Sequence, residues 1–129
     1  MNSRSEKTAK NSKQTQGIIG LGVDLVEVSR VRGLAERSPG FLKKVFTAGE
    51  LAYSLKSKNK FERLAARFAV KEAVIKALDD KKIALKSIEV ENTASGRPIV
   101  KIKGRAARLL VSISHTGSHA VAAVIAFQA

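Results

Sequence analysis

The 129-residue sequence predicts an α+β fold. One apolar strand opens the patterned part of the chain, helical segments follow it to about residue 78, and two pairs of alternating segments close it as hairpins. Elements grouped in this way, rather than alternating strand for helix, favour antiparallel pairing over parallel βαβ units. With 44% apolar and 27% charged residues, the composition is that of a globular protein long enough to bury a core without staples. No internal repeat is visible, and there is no cysteine.

Each element has its own signal. Residues 1–16, MNSRSEKTAKNSKQTQ, are polar, aperiodic and basic, and read as a disordered leader ahead of a folded unit spanning 17–129. From Ile18 to Val28 the chain alternates: Ile19, Leu21, Val23 and Leu25 share one face, and Ile18, Gly20, Gly22, Asp24 and Val26 the other. Ser29 is placed to cap a helix running to about Glu36, which Ser38-Pro39-Gly40 ends. Thr47-Ala48-Gly49-Glu50 fits a capping box at the start of a short helix. Lys56 to Lys60, KSKNK, reads as a solvated basic loop. Phe61 to Leu78 is the strongest helix, free of Gly and Pro. Leu64, Phe68, Ile75 and Leu78 form its main apolar stripe, and Ala65, Ala69, Glu72 and Lys76 form a second stripe beside it. Ile83–Glu91 and Pro98–Lys103 pair around TASGRP, and Leu109–Ser114 and His119–Phe127 pair around Thr116-Gly117-Ser118.

The net charge of +13, with a pI near 10.4, implies a polyanionic partner. Nucleic acid, an anionic membrane surface, a phosphorylated small molecule and an acidic protein all qualify. One Tyr, no Trp and 5% aromatics leave few stacking platforms for single-stranded nucleic acid. The glycines of GIIGLG run opposite to the dinucleotide fingerprint, and no P-loop is present. No apolar run reaches membrane-spanning length and the first residues lack a signal-peptide core, so a cytoplasmic location is expected.

Asp24 and Glu72 are the residues that ask for an explanation, because each is a carboxylate on a largely apolar element flanked by small side chains. Should the helix pack on the strand through those faces, two like charges meet and require a cation. With only oxygen donors to hand, Mg²⁺ is the ion that fits. The competing reading has Asp24 accepting local backbone hydrogen bonds and Glu72 pairing with Lys76 on a solvated face. Arg67, Lys71 and Lys76 either neutralise phosphates or are ordinary surface charges. His115 and Ser114 alternate across a strand and so form no nucleophilic dyad. His115 suits a phosphate oxygen or a structural hydrogen bond.

Three separated blocks resemble one family. GLGVDLVEVSR is similar to the G-I-G-x-D-[IL]-x-E-[IV]-x-R opening of the holo-acyl-carrier-protein synthases, which are small 4′-phosphopantetheinyl transferases. RFAVKEAVIKAL resembles their R-[FW]-A-x-K-E-A-x-x-K-A helix, and VSISHTGSHAVAAVI their closing segment. FTAGEL and the GRP of the hairpin also fit, in the same order. The resemblance implies an antiparallel sheet wrapped on a long central helix, assembled as a trimer with active sites between neighbours. It implies Mg²⁺-dependent transfer of the phosphopantetheine arm of coenzyme A to a serine of apo acyl carrier protein, releasing 3′,5′-adenosine bisphosphate.

By the same resemblance, Asp24 and Glu72 hold the metal, Glu72 is the base for the incoming serine, and Lys76 stabilises the leaving group. Arg67, Lys76 and His115 hold coenzyme A phosphates, Pro98 and Thr116 line the adenosine pocket, and Arg30 and Arg37 dock the acidic carrier protein. Neither membrane nor nucleic acid is then needed as a partner. One departure stands out: where the family continues K-A-x-G-x-G, this chain has KALDDKKI, so the local coenzyme A contacts are expected to differ. The alternatives are a small basic nucleic-acid-binding domain, or a coenzyme A-binding relative with weak turnover.

Overall fold

The computed structural model describes residues 17–128, so the expected leader lies outside the described residues. The chain runs β1 (Ile18–Glu27), α1 (Val28–Arg37), α2 (Phe41–Val45), α3 (Ala48–Leu55), α4 (Lys60–Leu78), a 3-10 turn (Leu85–Ser87), β2 (Ile88–Asn92), β3 (Pro98–Ile102), β4 (Arg108–His115) and β5 (His119–Phe127). Two antiparallel sheets form, one ordered β1-β5-β4 and one pairing β2 with β3. The α+β class and the antiparallel sheet against a long helix are as expected.

Glycine decides how closely α4 approaches β1. A Cβ added to Gly20 would lie 1.8 Å from the Ala77 carbonyl oxygen, and one added to Gly22 would lie 2.0 Å from that of Ala73. Both are far inside van der Waals contact, so only hydrogen fits. Ala120, Ala122 and Ala126 of β5, all fully buried, continue the small-residue surface beneath the helix. The glycines ahead of Asp24 therefore admit another backbone.

Being covered by the sheet on one side and by α3 and β2 on the other, α4 buries most of its circumference. This shifts the expected stripe: Leu64 and Phe68 are buried, Ile75 and Leu78 only partly, and Ala65, Ala69, Ala73, Val70, Val74 and Ala77 supply much of the rest. Lys71 is buried too, with no side-chain exposure, and its Nζ pairs with Glu50 Oε1 at 2.7 Å. It also donates to the carbonyls of Leu85, at 3.0 Å, and Ile88. Three acceptors around one nitrogen require the ammonium form. Desolvation lowers the Lys71 pKa, and Glu50 opposes that.

Several boundaries differ from expectation for identifiable reasons. Ser29 is not a cap. The helix begins at Val28, whose N–H donates to the Ser118 carbonyl of the β4–β5 turn at 2.9 Å, so tertiary structure satisfies that end. The capping box at Thr47 and Glu50 forms in full. Helix α2 is too short to show periodicity. Its Phe41 meets Phe46 edge-on and also lies against Phe68 of α4, both at a ring-centroid distance of 6.4 Å. Strand β2 starts at Ile88 rather than Ile83, because Leu85–Ser87 forms a 3-10 turn that brings the Leu85 carbonyl to Lys71. Asp79, at the position of an expected glycine, takes the left-handed conformation itself, with φ 49°. Its N–H donates to the Lys76 carbonyl and that of Asp80 to Ile75, both at 3.2 Å, closing the helix end.

The glycine contact yields a prediction. Gly22→Ala should lower unfolding free energy in urea by about 3 kcal/mol, the upper part of the overpacking range. Gly17→Ala, which meets nothing within 4 Å, should be near neutral.

Candidate active site

Strand β1 delivers Asp24 to the side facing α4, and Lys76 in the last turn of α4 reaches it. Lys76 Nζ lies 3.1 Å from Asp24 Oδ1 and 2.9 Å from the Val23 carbonyl oxygen. The Asp24 side chain is 17% exposed and that of Lys76 54%. Glu72, one turn earlier on α4, is half-buried and close enough to feel its neighbours. Burial raises its pKa first and the charge of Asp24 raises it further, while Lys76 and Arg30 partly offset both. The helix and strand thus bring two carboxylates, a lysine and an arginine to one place. Glu72 makes no ion pair with Lys76, which pairs with Asp24 instead.

The carboxylates suit a divalent ion. Their donors are all oxygen, the charge of Asp24 acts unfavourably on Glu72, and they are only partly covered. Among the described residues no group of three or more His, Cys, Asp or Glu forms a closed cage. Two carboxylates with open positions is the arrangement by which Mg²⁺ keeps water and takes substrate phosphates.

A second feature lies elsewhere on α4. A cavity of about 320 Å³ is lined by Tyr53, Arg63, Arg67, Asn92, Pro98 and His115, among others, and by none of Asp24, Glu72 and Lys76. Arg67 and Glu72, five residues apart, point about 140° apart around the helix axis. Arg67 is 6% exposed, and desolvation lowers its pKa, with Tyr53 and Glu50 opposing. His115 Nδ1 meets Glu62 Oε1 at 2.5 Å. That pair adjoins a wider cleft of about 510 Å³ lined by Arg32, Lys58, Lys60, Phe61 and Glu62, so the basic KSKNK loop borders a cleft as well as solvent.

Arg67, Pro98 and His115 are therefore brought together, and Thr116 is not with them. The Thr116 hydroxyl accepts from the N–H groups of Ser118, at 3.3 Å, and His119, at 3.1 Å, within the β4–β5 turn. Arg30 and Arg37 are exposed on α1, with Arg30 beside the carboxylates. Lys71, considered for phosphate, is turned into the core. Sequence reasoning missed Tyr53, Asn92 and Glu62. Nothing local marks them, since each gains its partner from a distant element.

The profile of the 4′-phosphopantetheinyl transferase superfamily matches residues 20–125. A holo-[acyl-carrier-protein] synthase of Thermodesulfovibrio yellowstonii is 52% identical over 84% of this chain and 97% of that protein. Among solved structures, the Bacillus anthracis holo-(acyl-carrier-protein) synthase in complex with CoA (3′,5′-ADP) superposes with a TM-score of 0.78 at 31% identity, covering 87% of this chain and 98% of that one. The acyl carrier protein synthase of Mycobacterium tuberculosis gives 0.68 at 31% identity, covering 88% and 100%. The chain belongs to the holo-acyl-carrier-protein synthase family of 4′-phosphopantetheinyl transferases.

The Glu72 carboxyl holds its proton more tightly in the fold than in the unfolded chain. Its contribution to stability is thus complete below the unfolded carboxylate range and is lost as pH rises through the raised folded value. At neutral pH the ionised group is a net cost. In metal-free buffer Glu72→Gln should melt above the unsubstituted protein at neutral pH, and the two melting curves should converge below about pH 4.

Proposed function

We propose that the carboxylate cluster and the Arg67 cavity carry out the transfer of the 4′-phosphopantetheine arm of coenzyme A to a serine hydroxyl of apo acyl carrier protein, releasing 3′,5′-adenosine bisphosphate. The observation that carries this assignment is the Asp24–Lys76 ion pair with half-buried Glu72 one turn before Lys76, where α4 packs on β1, on a chain of this family.

Asp24 and Glu72 would hold Mg²⁺, which supplies charge neutralisation to the diphosphate of coenzyme A. Glu72 accepts the proton of the incoming serine. Lys76 uses two of its three N–H groups on the Val23 carbonyl and Asp24, so it is held in place with one left for the charge that develops on the departing bisphosphate. Arg67 and His115 hold phosphates of coenzyme A and Pro98 lines its adenosine pocket. Thr116 shapes the adjoining turn. Arg30 and Arg37, exposed on the helix next to the carboxylates, guide the acidic carrier protein to the serine's point of attack.

The working form is a homotrimer. Ile19, Leu21, Val23 and Leu25 expose half or more of their surface on the outer face of β1, an apolar strip that a monomer rarely leaves bare. On one chain the carboxylates and the cavity lie on different sides of α4. A cleft between copies would join the carboxylates of one to the cavity of its neighbour. We place the enzyme in the cytoplasm. Among the described residues no helix is long and apolar enough to cross a membrane.

Intact-mass analysis of apo acyl carrier protein with coenzyme A and Mg²⁺ should show one added arm. Chelation should abolish it, and Glu72→Gln should slow it by about 10²–10⁴-fold. Co-expressed Glu72→Gln and Arg67→Ala chains should recover activity that neither has alone, because mixed trimers contain intact clefts. No recovery, with each variant still trimeric, refutes the shared cleft. The rate with carrier protein should also fall as salt rises, and Arg37→Glu should flatten that dependence.

A further inference from the structure

Arg67 is nearly buried, yet among the described residues no carboxylate lies within ion-pair distance of it. A guanidinium so covered ordinarily meets an acid. Its partners here are neutral. Asn92 Oδ1 accepts from one terminal nitrogen at 2.9 Å, the Arg63 carbonyl accepts from the other at 3.4 Å, and the Tyr53 ring centroid lies 4.3 Å from Cζ. The Nε donor is buried without a partner.

Asn92 is used at both ends. Its Nδ2 donates to the Gly96 carbonyl at 3.0 Å, inside the β2–β3 turn. Gly96 of that turn and Pro98, which opens β3 just after it, line the same cavity as Arg67. One amide therefore connects the cation to the wall opposite it. A carboxylate at this position would hold the guanidinium at least as firmly, but it would cancel the charge a phosphate needs. An amide orients the group and leaves its charge intact.

We propose that Asn92 is a positioning residue for phosphate capture, aiming Arg67 into the cavity without neutralising it and fixing the turn that carries Pro98 against the same ligand. This rests on the cavity being the coenzyme A site. Tyr53 assists by stacking, which constrains the guanidinium plane and contributes no opposing formal charge.

The test compares Asn92→Ala, Asn92→Asp, Arg67→Ala and the Asn92→Ala/Arg67→Ala double variant in the full chain. Coenzyme A binding is followed by calorimetry, transfer by steady-state kinetics, and stability by thermal melting. Both Asn92 variants should weaken coenzyme A binding and raise its KM about tenfold or more, with kcat and the KM for carrier protein within about twofold. Asn92→Asp should do so while melting no lower than the unsubstituted protein, because it gains an ion pair with Arg67. In the Arg67→Ala background, Asn92→Ala should add less than about twofold, as expected of a residue that acts through Arg67.

Asn92→Asp binding coenzyme A normally would overturn the proposal. So would losses that multiply in the double variant, or that only follow a lowered melting temperature. An unsubstituted protein that transfers the arm while Arg67→Ala binds coenzyme A normally would remove the cavity reading and this inference with it. Weakened binding in Arg67→Ala but not in the Asn92 variants would remove this inference alone.

Discussion

The buried ion pair between Lys71 and Glu50 is the constraint on which the arrangement depends. Glu50 accepts from Lys71 Nζ, from the Thr47 N–H at 2.9 Å and from the Val90 N–H at 2.8 Å. Lys71 adds the carbonyls of the 3-10 turn and of β2. One carboxylate and one ammonium thus join α3, α4 and the β2–β3 hairpin, and neither can be removed singly without leaving a buried charge unpaired. Because successive helical residues are rotated by about 100°, fixing Lys71 inward also fixes where its neighbours point. Glu72 is turned toward β1 and Arg67 toward α3 and the hairpin. The chemistry on the outside of α4 is set by an interaction in the interior.

The two buried cations of α4 are handled in opposite ways. Lys71 is met by a carboxylate and becomes part of the core. Arg67, one turn before it, is met by an amide, a carbonyl and an aromatic ring, and keeps its full charge. The same low dielectric that makes Lys71 a strong structural partner makes Arg67 a strong receptor for an anion. The difference lies in the partners, since both side chains are basic and both are covered.

Much of this was readable from the residues. The alternation of β1, the length of α4 and the Thr47 capping box each follow from spacing within a few residues, and the glycine face of β1 foretold a close approach, though the helix residues that meet it are Ala73 and Ala77 rather than the Ala65, Ala69, Glu72 and Lys76 stripe. The assignment of Asp24 and Glu72 to one place drew on the family resemblance as well as on those faces. What escaped reading was long-range. Lys71 looked like any helix-surface charge because its acceptors lie 14 or more residues away. Ser29 resembled a cap, but the Ser118 carbonyl supplies that end. Ile83–Ser87 alternates like a strand, yet it holds a 3-10 turn whose Leu85 carbonyl serves the lysine. Asn92 ends β2 beside a segment whose composition predicts only a turn.

Asp79 has a consequence of another kind. The backbone there bends into the left-handed region without glycine, closed by hydrogen bonds that involve main-chain atoms alone. The bend just beyond Lys76 is thus open to glycine, asparagine and aspartate and strained for bulkier or β-branched side chains. Asp80, just past the bend, reaches Arg105 at 3.0 Å across to the segment before β4. Such a corner can exchange glycine for a small charged residue while the reacting groups a few residues upstream stay where they are.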